Sequence, residues 1–438
     1  MRKISVIGCG YVGLVCGAGL AEFGNEVVCI DINKDKIEKL KRMVVPIVEP
    51  GLPELIESNY SKSRLSFTSD IKEGLEGCDA IIIAVQTPQA ADGSADLGFF
   101  MAAARDIAEC LEHPAAVVIK STVPIGTAGK TAKLINDSLA KRKMGFAIEV
   151  VSNPEFLREG CAVNTFLEPD RIVVGCNGKS YGLMNDIYSK PVSNGVPMVE
   201  CSNETAETIK YAANAFLAMK ISYINQMARL CEITGADIKT VAEAVGSDER
   251  ISPKFLNPGP GYGGSCFPKD TRALVKMAKD HGLDLTMIRS AYEANAAHKE
   301  ALALKIIGIM KKNQANTLAV WGLSFKAGSG DMRMAPALTI LPAVAKSGII
   351  IKAYDPAALD EAKEVFKEYE NIKFCQTKDA ALDNAEALLI LTEWDCFKET
   401  RLSEIAAGLS KSILLDFRNI YEPDAAKDMG FMYYGVGR

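Results

Sequence analysis

Directly behind the apolar residues 4–7 stands Gly8-Cys9-Gly10-Tyr11-Val12-Gly13, and a G-x-G-x-x-G stretch in that position leaves the backbone few options. Read as strand, tight turn and helix, it gives each glycine a task. Gly8 allows the turn, Gly10 lets backbone approach a pyrophosphate, and Gly13 lets the helix pack closely on the strand. The orphan N–H groups and positive end of the helix then suit phosphate, and Tyr11 and Val12 belong to the same expected cofactor site. Asp31 closes the next apolar run, about twenty residues on, where an acid bonds ribose hydroxyls and repels a 2′-phosphate. NAD is therefore expected rather than NADP, a preference softened by Lys34 and Lys36. The plain alternative is a glycine-rich turn that binds nothing.

Met1-Arg2-Lys3 before apolar residues 4–20 has the outline of an export signal, but Gly8, Gly10, Gly13, Gly17 and Gly19 interrupt it and suit strand-turn-helix better. No apolar run reaches about 18 residues uninterrupted, so no membrane span is expected. Further short apolar runs follow at 27–31, 80–85, 116–120 and 149–152, separated by amphipathic stretches, the pattern of a parallel sheet with helices on both faces. Residues 202–234 then contain no Pro and no interior Gly and predict one helix of about 30 residues, longer than a small domain needs and suited to a dimer interface. Strand–helix alternation resumes at 317–322, 349–354, 387–391 and 413–417, without a full glycine fingerprint. The tail after Asp424 carries little signal. The expected fold class is α/β: a Rossmann-like NAD domain over residues 1–200, a central helical part over 201–310 and a second Rossmann-like domain over 311–438.

The chain has 438 residues, 48% hydrophobic and 24% charged, with a net charge of −5. A mildly acidic chain argues against general nucleic-acid or anionic-membrane binding, so an anionic substrate would be held by cations gathered locally. Twelve cysteines are scattered without C-x-x-C spacing, and the three histidines are far apart. No metal site is expected, and the thiols fit a reducing, cytoplasmic setting.

One cysteine differs. In Gly261-Tyr262-Gly263-Gly264-Ser265-Cys266-Phe267-Pro268-Lys269-Asp270, Pro268 suits the first turn of a helix, which puts Cys266 just before a helix N-terminus. Partial positive charge there, with Lys269 near, favours a thiolate. A thiolate beside a nicotinamide has a definite use: it adds to an aldehyde, a second hydride transfer leaves a thioester, and water releases an acid. The bland alternative is a structural cysteine beside a turn. Val85-Gln86-Thr87-Pro88 and Ser121-Thr122-Val123-Pro124 end two of the strands, where open α/β sheets bind ligands or merely cap the next helix.

Taken together, GCGYVG, STVPIGTA, NPEFLREG, KYAANAFLAMK, GYGGSCFPKD and SFKAGSGDMR resemble, in order and over essentially the whole length, the NAD-dependent UDP-glucose/GDP-mannose dehydrogenase family. The resemblance implies that Cys266 is the nucleophile and that Lys210 and Asn214, one helical turn apart, lie near the reacting carbon. It implies that Glu155 activates water, that Asp270 orders that water or binds Lys210, and that Thr122 and Glu159 lie by the nicotinamide, with Lys36 and Thr87 also on the cofactor. Substrate contacts are implied for Glu155, Phe156, Leu157, Arg158, Lys210 and Asn214, for the loop through Phe255, Leu256, Asn257, Gly261, Tyr262 and Gly263, and for Phe325, Lys326 and Arg418. Arg250 would reach the sugar nucleotide of a neighbouring subunit, and Arg333 would touch NAD across a domain cleft. Without the resemblance, Lys210 reads as a solvated helix lysine and each arginine as a surface residue.

The expected function is four-electron oxidation of UDP-glucose by a homodimer or larger homo-oligomer. NPEFLREG argues against a UDP-N-acetylhexosamine substrate and GPGYGGSCFPKD against GDP-mannose. A two-electron hydroxyacid-type dehydrogenase and a non-catalytic NAD-binding scaffold are the rivals of different chemistry.

Overall fold

In the first sheet of the computed structural model, which describes residues 1–176 and 178–438, eight strands run in the order β3-β2-β1-β4-β5-β6-β7-β8. They are β1 (Lys3–Ile7), β2 (Glu26–Ile30), β3 (Leu65–Thr68), β4 (Ala80–Ile83), β5 (Ala116–Ile119), β6 (Val150–Ser152), β7 (Ile172–Gly175) and β8 (Met198–Cys201). Neighbours pair in parallel except β6 with β7, which meet antiparallel at Ser152 and Gly175. The central strands are apolar on both faces because helices cover both. Ala80 and Ile82 join the core under the helix Tyr11–Glu22, while Ile81 and Ile83 join the core under the helices Gly98–Cys110 and Thr127–Lys141. Strand order reverses between β1 and β4. That reversal opens a crevice at their carboxyl ends, just where Gly8 follows β1 and Thr87 follows β4.

The second sheet has the order β11-β10-β9-β12-β13-β14, all parallel. Its strands are β9 (Thr317–Trp321), β10 (Ile350–Tyr354), β11 (Ile372–Phe374), β12 (Ala385–Ile390), β13 (Leu409–Asp416) and β14 (Met432–Gly435). The C-terminal tail, nearly silent in sequence, thus supplies an edge strand, in register from Ile413–Met432 to Asp416–Gly435. Sequence reading missed β3, β7, β8, β11 and β14; all but β7 are edges of the two sheets and carry exposed or half-exposed residues, unlike the equally short but wholly buried β4 and β5.

Two compact units are present, Met1–Ala213 and Asn214–Arg438. Their boundary falls inside the predicted long helix, which runs over Asn203–Thr234. Its 32 residues span about 48 Å at 1.5 Å per residue. Its start is anchored to β6, where Asn203 Oδ1 accepts from Ser152 N at 2.7 Å and Asn203 Nδ2 donates to Val150 O at 3.0 Å. One turn on, the buried Glu207 accepts from Gly126 N at 2.6 Å and Ala128 N at 2.9 Å. It thereby caps the helix Thr127–Lys141, which has no capping side chain of its own.

Candidate active site

The glycine loop has the geometry its sequence predicts. Gly8 adopts φ +102°, and a Cβ there would lie 2.9 Å from Ala84 O. A Cβ on Gly13 would lie 1.7 Å from Gly8 O, so only glycine lets this helix sit so close to β1. Gly10 differs: nothing in the protein lies within 4 Å of a Cβ built there, which leaves its surface to a ligand. Asp31 is buried at the end of β2 and accepts from Cys9 N at 2.9 Å, Asn33 N at 2.9 Å and Lys36 Nζ at 2.8 Å. Burial pushes its carboxyl up, but Lys36 and the two N–H groups outweigh this and hold it below the usual range. Lys36 thus cancels part of the negative charge meant to repel a 2′-phosphate, while Lys34 faces solvent. Thr87 Oγ1 donates to Thr122 O at 2.8 Å and Ser121 Oγ to Val85 O at 2.6 Å, which laces together the loops after β4 and β5.

Behind that crevice lies a buried ion pair. Lys210 Nζ donates to Glu155 Oε1 at 2.8 Å and to Glu155 O at 2.7 Å, and the two side chains are 4% and 8% exposed. The solvated-lysine alternative for Lys210 therefore fails. Burial raises the Glu155 carboxyl, but Lys210, the Leu157 N–H and Lys120 together hold it below its usual value. The Phe156 ring lies under the Arg171 guanidinium at 3.7 Å and near Lys210 Nζ at 5.4 Å. Arg158 is exposed, and Glu159, half-buried, adds its charge beside Tyr11. Sequence reading missed Lys120, which is buried, donates to Asn153 Oδ1 at 2.9 Å and Tyr188 OH at 3.0 Å, and has its ammonium pushed down by burial. The one signal it offered was its place, ending an apolar strand before Ser121-Thr122.

In the second unit, Cys266 is the N-cap of the helix Phe267–Asp280, with Pro268 in the first turn and the thiol residue exposed. Ser265 Oγ lies 3.5 Å from the sulfur. Asp270, in that first turn, is wholly buried and accepts from Asn214 Nδ2 at 2.6 Å and Lys269 Nζ at 2.7 Å. The charge of Lys269 is therefore shared with Asp270 rather than given wholly to the sulfur.

The glycine-rich loop before the cysteine is built, not slack. Gly261 has φ +105°, and a Cβ there would meet Asn295 Oδ1 at 2.8 Å. Asn295 bonds both N and O of Tyr262, at 2.9 and 3.1 Å, and His298 Nε2 donates to Gly259 O at 2.8 Å. A Cβ on Gly263 would meet Met334 O at 2.5 Å, and Gly264 N donates to Arg333 O at 2.8 Å. Lys299 Nζ donates to Met334 O at 3.0 Å, and burial pushes its ammonium down to about 8. Asn295, His298 and Lys299 share one face of the helix Thr286–Lys312 and grip the loop; none was singled out from sequence.

Phe255 has a positive φ of 65°, Leu256 is buried, and Asn257 is exposed. Arg418 donates to Phe325 O at 3.1 Å and Leu391 O at 2.7 Å, and pairs with Glu393 at 3.0 Å. Its Nη1 would lie 3.3 Å from a Cβ on Gly259, so Phe325, Arg418 and the loop do converge, with Lys326 Nζ 5.5 Å from the Phe325 ring centre. Arg250 and Arg333 instead point outward, 89% and 61% exposed, each forked onto an aspartate two residues back. Among the described residues, no group of three His, Cys, Asp or Glu is placed to hold a metal.

Comparison with known families places these parts. Residues 2–192 match the NAD binding domain of the UDP-glucose/GDP-mannose dehydrogenase family, 204–297 its central domain and 319–423 its UDP binding domain. The chain belongs to that family. It is an NAD-dependent oxidoreductase that binds a nucleotide sugar, and the glycine loop of residues 8–13 lies within the family's NAD-binding part. It is 42% identical to the UDP-glucose 6-dehydrogenase TuaD of Bacillus subtilis over 100% of this chain and 94% of that one. It is also 42% identical to a UDP-glucose 6-dehydrogenase of Rhizobium meliloti over 100% and 99%. A solved UDP-glucose dehydrogenase from Pyrobaculum islandicum has a TM-score of 0.89 at 34% identity, covering 100% and 98% of the two chains. No helix among the described residues is long and apolar enough to cross a membrane.

Proposed function

We propose that the chain oxidises UDP-glucose to UDP-glucuronate through a covalent bond to Cys266. The observation that carries this reading is the thiol itself: it is exposed, its residue stands at the N-cap position of a helix, and it is flanked by a gripped glycine loop and by the Asp270–Asn214 pair. The glycine loop fits NAD through the open face of Gly10, the first N–H groups of the helix and Asp31. NAD, when bound, supplies the hydride acceptor for both oxidations. Cys266, as thiolate, adds to the intermediate aldehyde to give a thiohemiacetal; oxidation leaves a thioester, and water cleaves it to the acid and the thiol.

A carboxylate 2.8 Å away favours the ammonium form of Lys210. Lys210 therefore acts as a charged stabiliser of the substrate oxyanion, with Glu155 orienting it. Asn214 gives one N–H to Asp270, which fixes its amide as a donor for an oxyanion. Glu155 and Asp270 are the carboxylates on hand for the hydrolytic water, and Thr122 and Glu159 line the nicotinamide end. The loop through Phe255, Leu256, Asn257, Gly261, Tyr262 and Gly263, with Phe325, Lys326 and Arg418, holds the nucleotide. Phe216, Tyr223 and Leu230 recur every seven residues on the long helix and are 61%, 48% and 52% exposed, a stripe suited to a homodimer in which Arg250 serves the neighbouring substrate. Twelve free thiols accord with a cytoplasmic setting.

The test is product analysis with UDP-glucose and excess NAD. Two NADH per UDP-glucuronate are expected, with no acid from Cys266→Ala and much slowed aldehyde oxidation in Cys266→Ser. One NADH per sugar, or an unimpaired Cys266→Ser enzyme, overturns the thioester route. A second reading keeps the chemistry and changes the sugar: a Pyrococcus horikoshii structure named for UDP-D-ManNAc dehydrogenase has a TM-score of 0.87 at 28% identity. Rates on both sugars decide between them.

A further inference from the structure

Residues 48–51, Val-Glu-Pro-Gly, lie in a segment that no part of the proposed chemistry uses, yet Glu49 in it is only 3% exposed. Its carboxylate collects three neutral donors from two distant stretches of the first unit. Oε2 accepts from the Tyr11 hydroxyl and from Gly160 N at 2.8 Å, and Oε1 accepts from Ala162 N at 2.6 Å. Tyr11 is the first residue of the helix that the glycine loop opens. Gly160 (φ +80°) and Ala162 close the segment that carries Glu155 and Glu159 and begin the helix Ala162–Leu167, whose N-cap Cys161 offers no side-chain bond.

We infer that Glu49 is a positioning residue that couples the NAD loop to the catalytic-glutamate segment, so that filling the first orders the second; the inference rests on NAD occupying the loop at Gly10. A buried carboxylate leaves its donors little freedom, because an unmatched N–H in the interior is costly. Movement of Tyr11 as a ligand settles on the helix N-terminus is therefore passed to Gly160 and Ala162 through one shared oxygen pair. Burial and the carboxylates of Glu49 and Glu159 push the Tyr11 phenol up, which keeps it a donor across the working range. With its hydroxyl given to Glu49, Tyr11 serves NAD through its backbone N–H.

Hydrogen–deuterium exchange on the full chain, with and without NAD, reads the coupling without any turnover. In the wild type, NAD should slow exchange at residues 8–14 and also at 158–163. Tyr11→Phe keeps the ring and leaves both amide bonds to Glu49, so protection at 8–14 should persist while the NAD-linked protection at 158–163 falls at least about fivefold. In the same variant kcat should drop about tenfold, the scale of one hydrogen bond to a charged group, with the NAD dissociation constant changed less than about threefold. Glu49→Gln, whose amide turns a donor toward donors, should lose the linkage more fully. Undiminished NAD-linked protection at 158–163 with wild-type kcat in Tyr11→Phe overturns the coupling alone. No NAD protection at 8–14 in the wild type overturns the cofactor placement beneath it as well.

Discussion

Replacing Glu155 by glutamine removes a charge and very little shape. Lys210 keeps its bond to the residue's backbone oxygen at 2.7 Å and can keep one to the amide oxygen, so only the electrostatic part of the pair is lost. Removing one partner of a buried pair costs about 3–5 kcal/mol, and the two surviving bonds place this substitution near about 3 kcal/mol. For a unit of roughly 200 residues, that lowers the melting temperature by roughly 6–12 °C. The pH dependence has a definite sign. The folded carboxyl is held below its usual value, so its stabilisation is fully present above the ordinary carboxylate range and is lost as pH falls through the folded value. The gap between wild type and Glu155→Gln should therefore be widest near neutral pH and narrow on acidification. Scanning calorimetry of the cofactor-free protein at several pH values measures both. A fall under about 2 °C, with a gap that does not change with pH, would show that the pair is not charged and would remove the argument for Lys210 as an ammonium.

The two glycines of the NAD loop should separate stability from binding. Gly10→Ala meets no protein atom within 4 Å, so the melting temperature should hold while NAD affinity, followed by fluorescence titration, drops at least about tenfold; equal affinity would refute the open-face reading. Gly13→Ala places a Cβ 1.7 Å from Gly8 O and should lower both. Phe216→Asp puts a charge on the most exposed residue of the stripe and should shift sedimentation toward monomer with loss of activity; an active monomer would contradict both the dimer and the borrowed Arg250.

Features set by short-range stereochemistry were readable in the residues alone. Gly8 and Gly13 announce a turn and a close helix, Pro268 announces a helix start, and the thirty-odd residues before Gly235 can only be one long helix. Strands such as Ile372–Phe374 and Met432–Gly435 were not readable, because they are sheet edges whose partly exposed residues leave no buried apolar run. Arg250 and Arg333 remain where sequence could place them, on the surface, and only the family likeness gives them work.

Charge burial is what the linear chain concealed. Lys120 reads as the polar end of a strand, and only Tyr188, 68 residues away, with Asn153 makes it an interior ammonium. Glu49 carries no motif in the linear chain, and its partners lie 38, 111 and 113 residues away. Lys299 and Glu207 follow the same rule. The residues by themselves determined which chemistry was on offer: a phosphate-binding turn, an acid for the ribose and a thiol at a helix end. The tertiary structure alone decided which charges leave water and whom they then face, because desolvation depends on neighbours brought together from across the sequence.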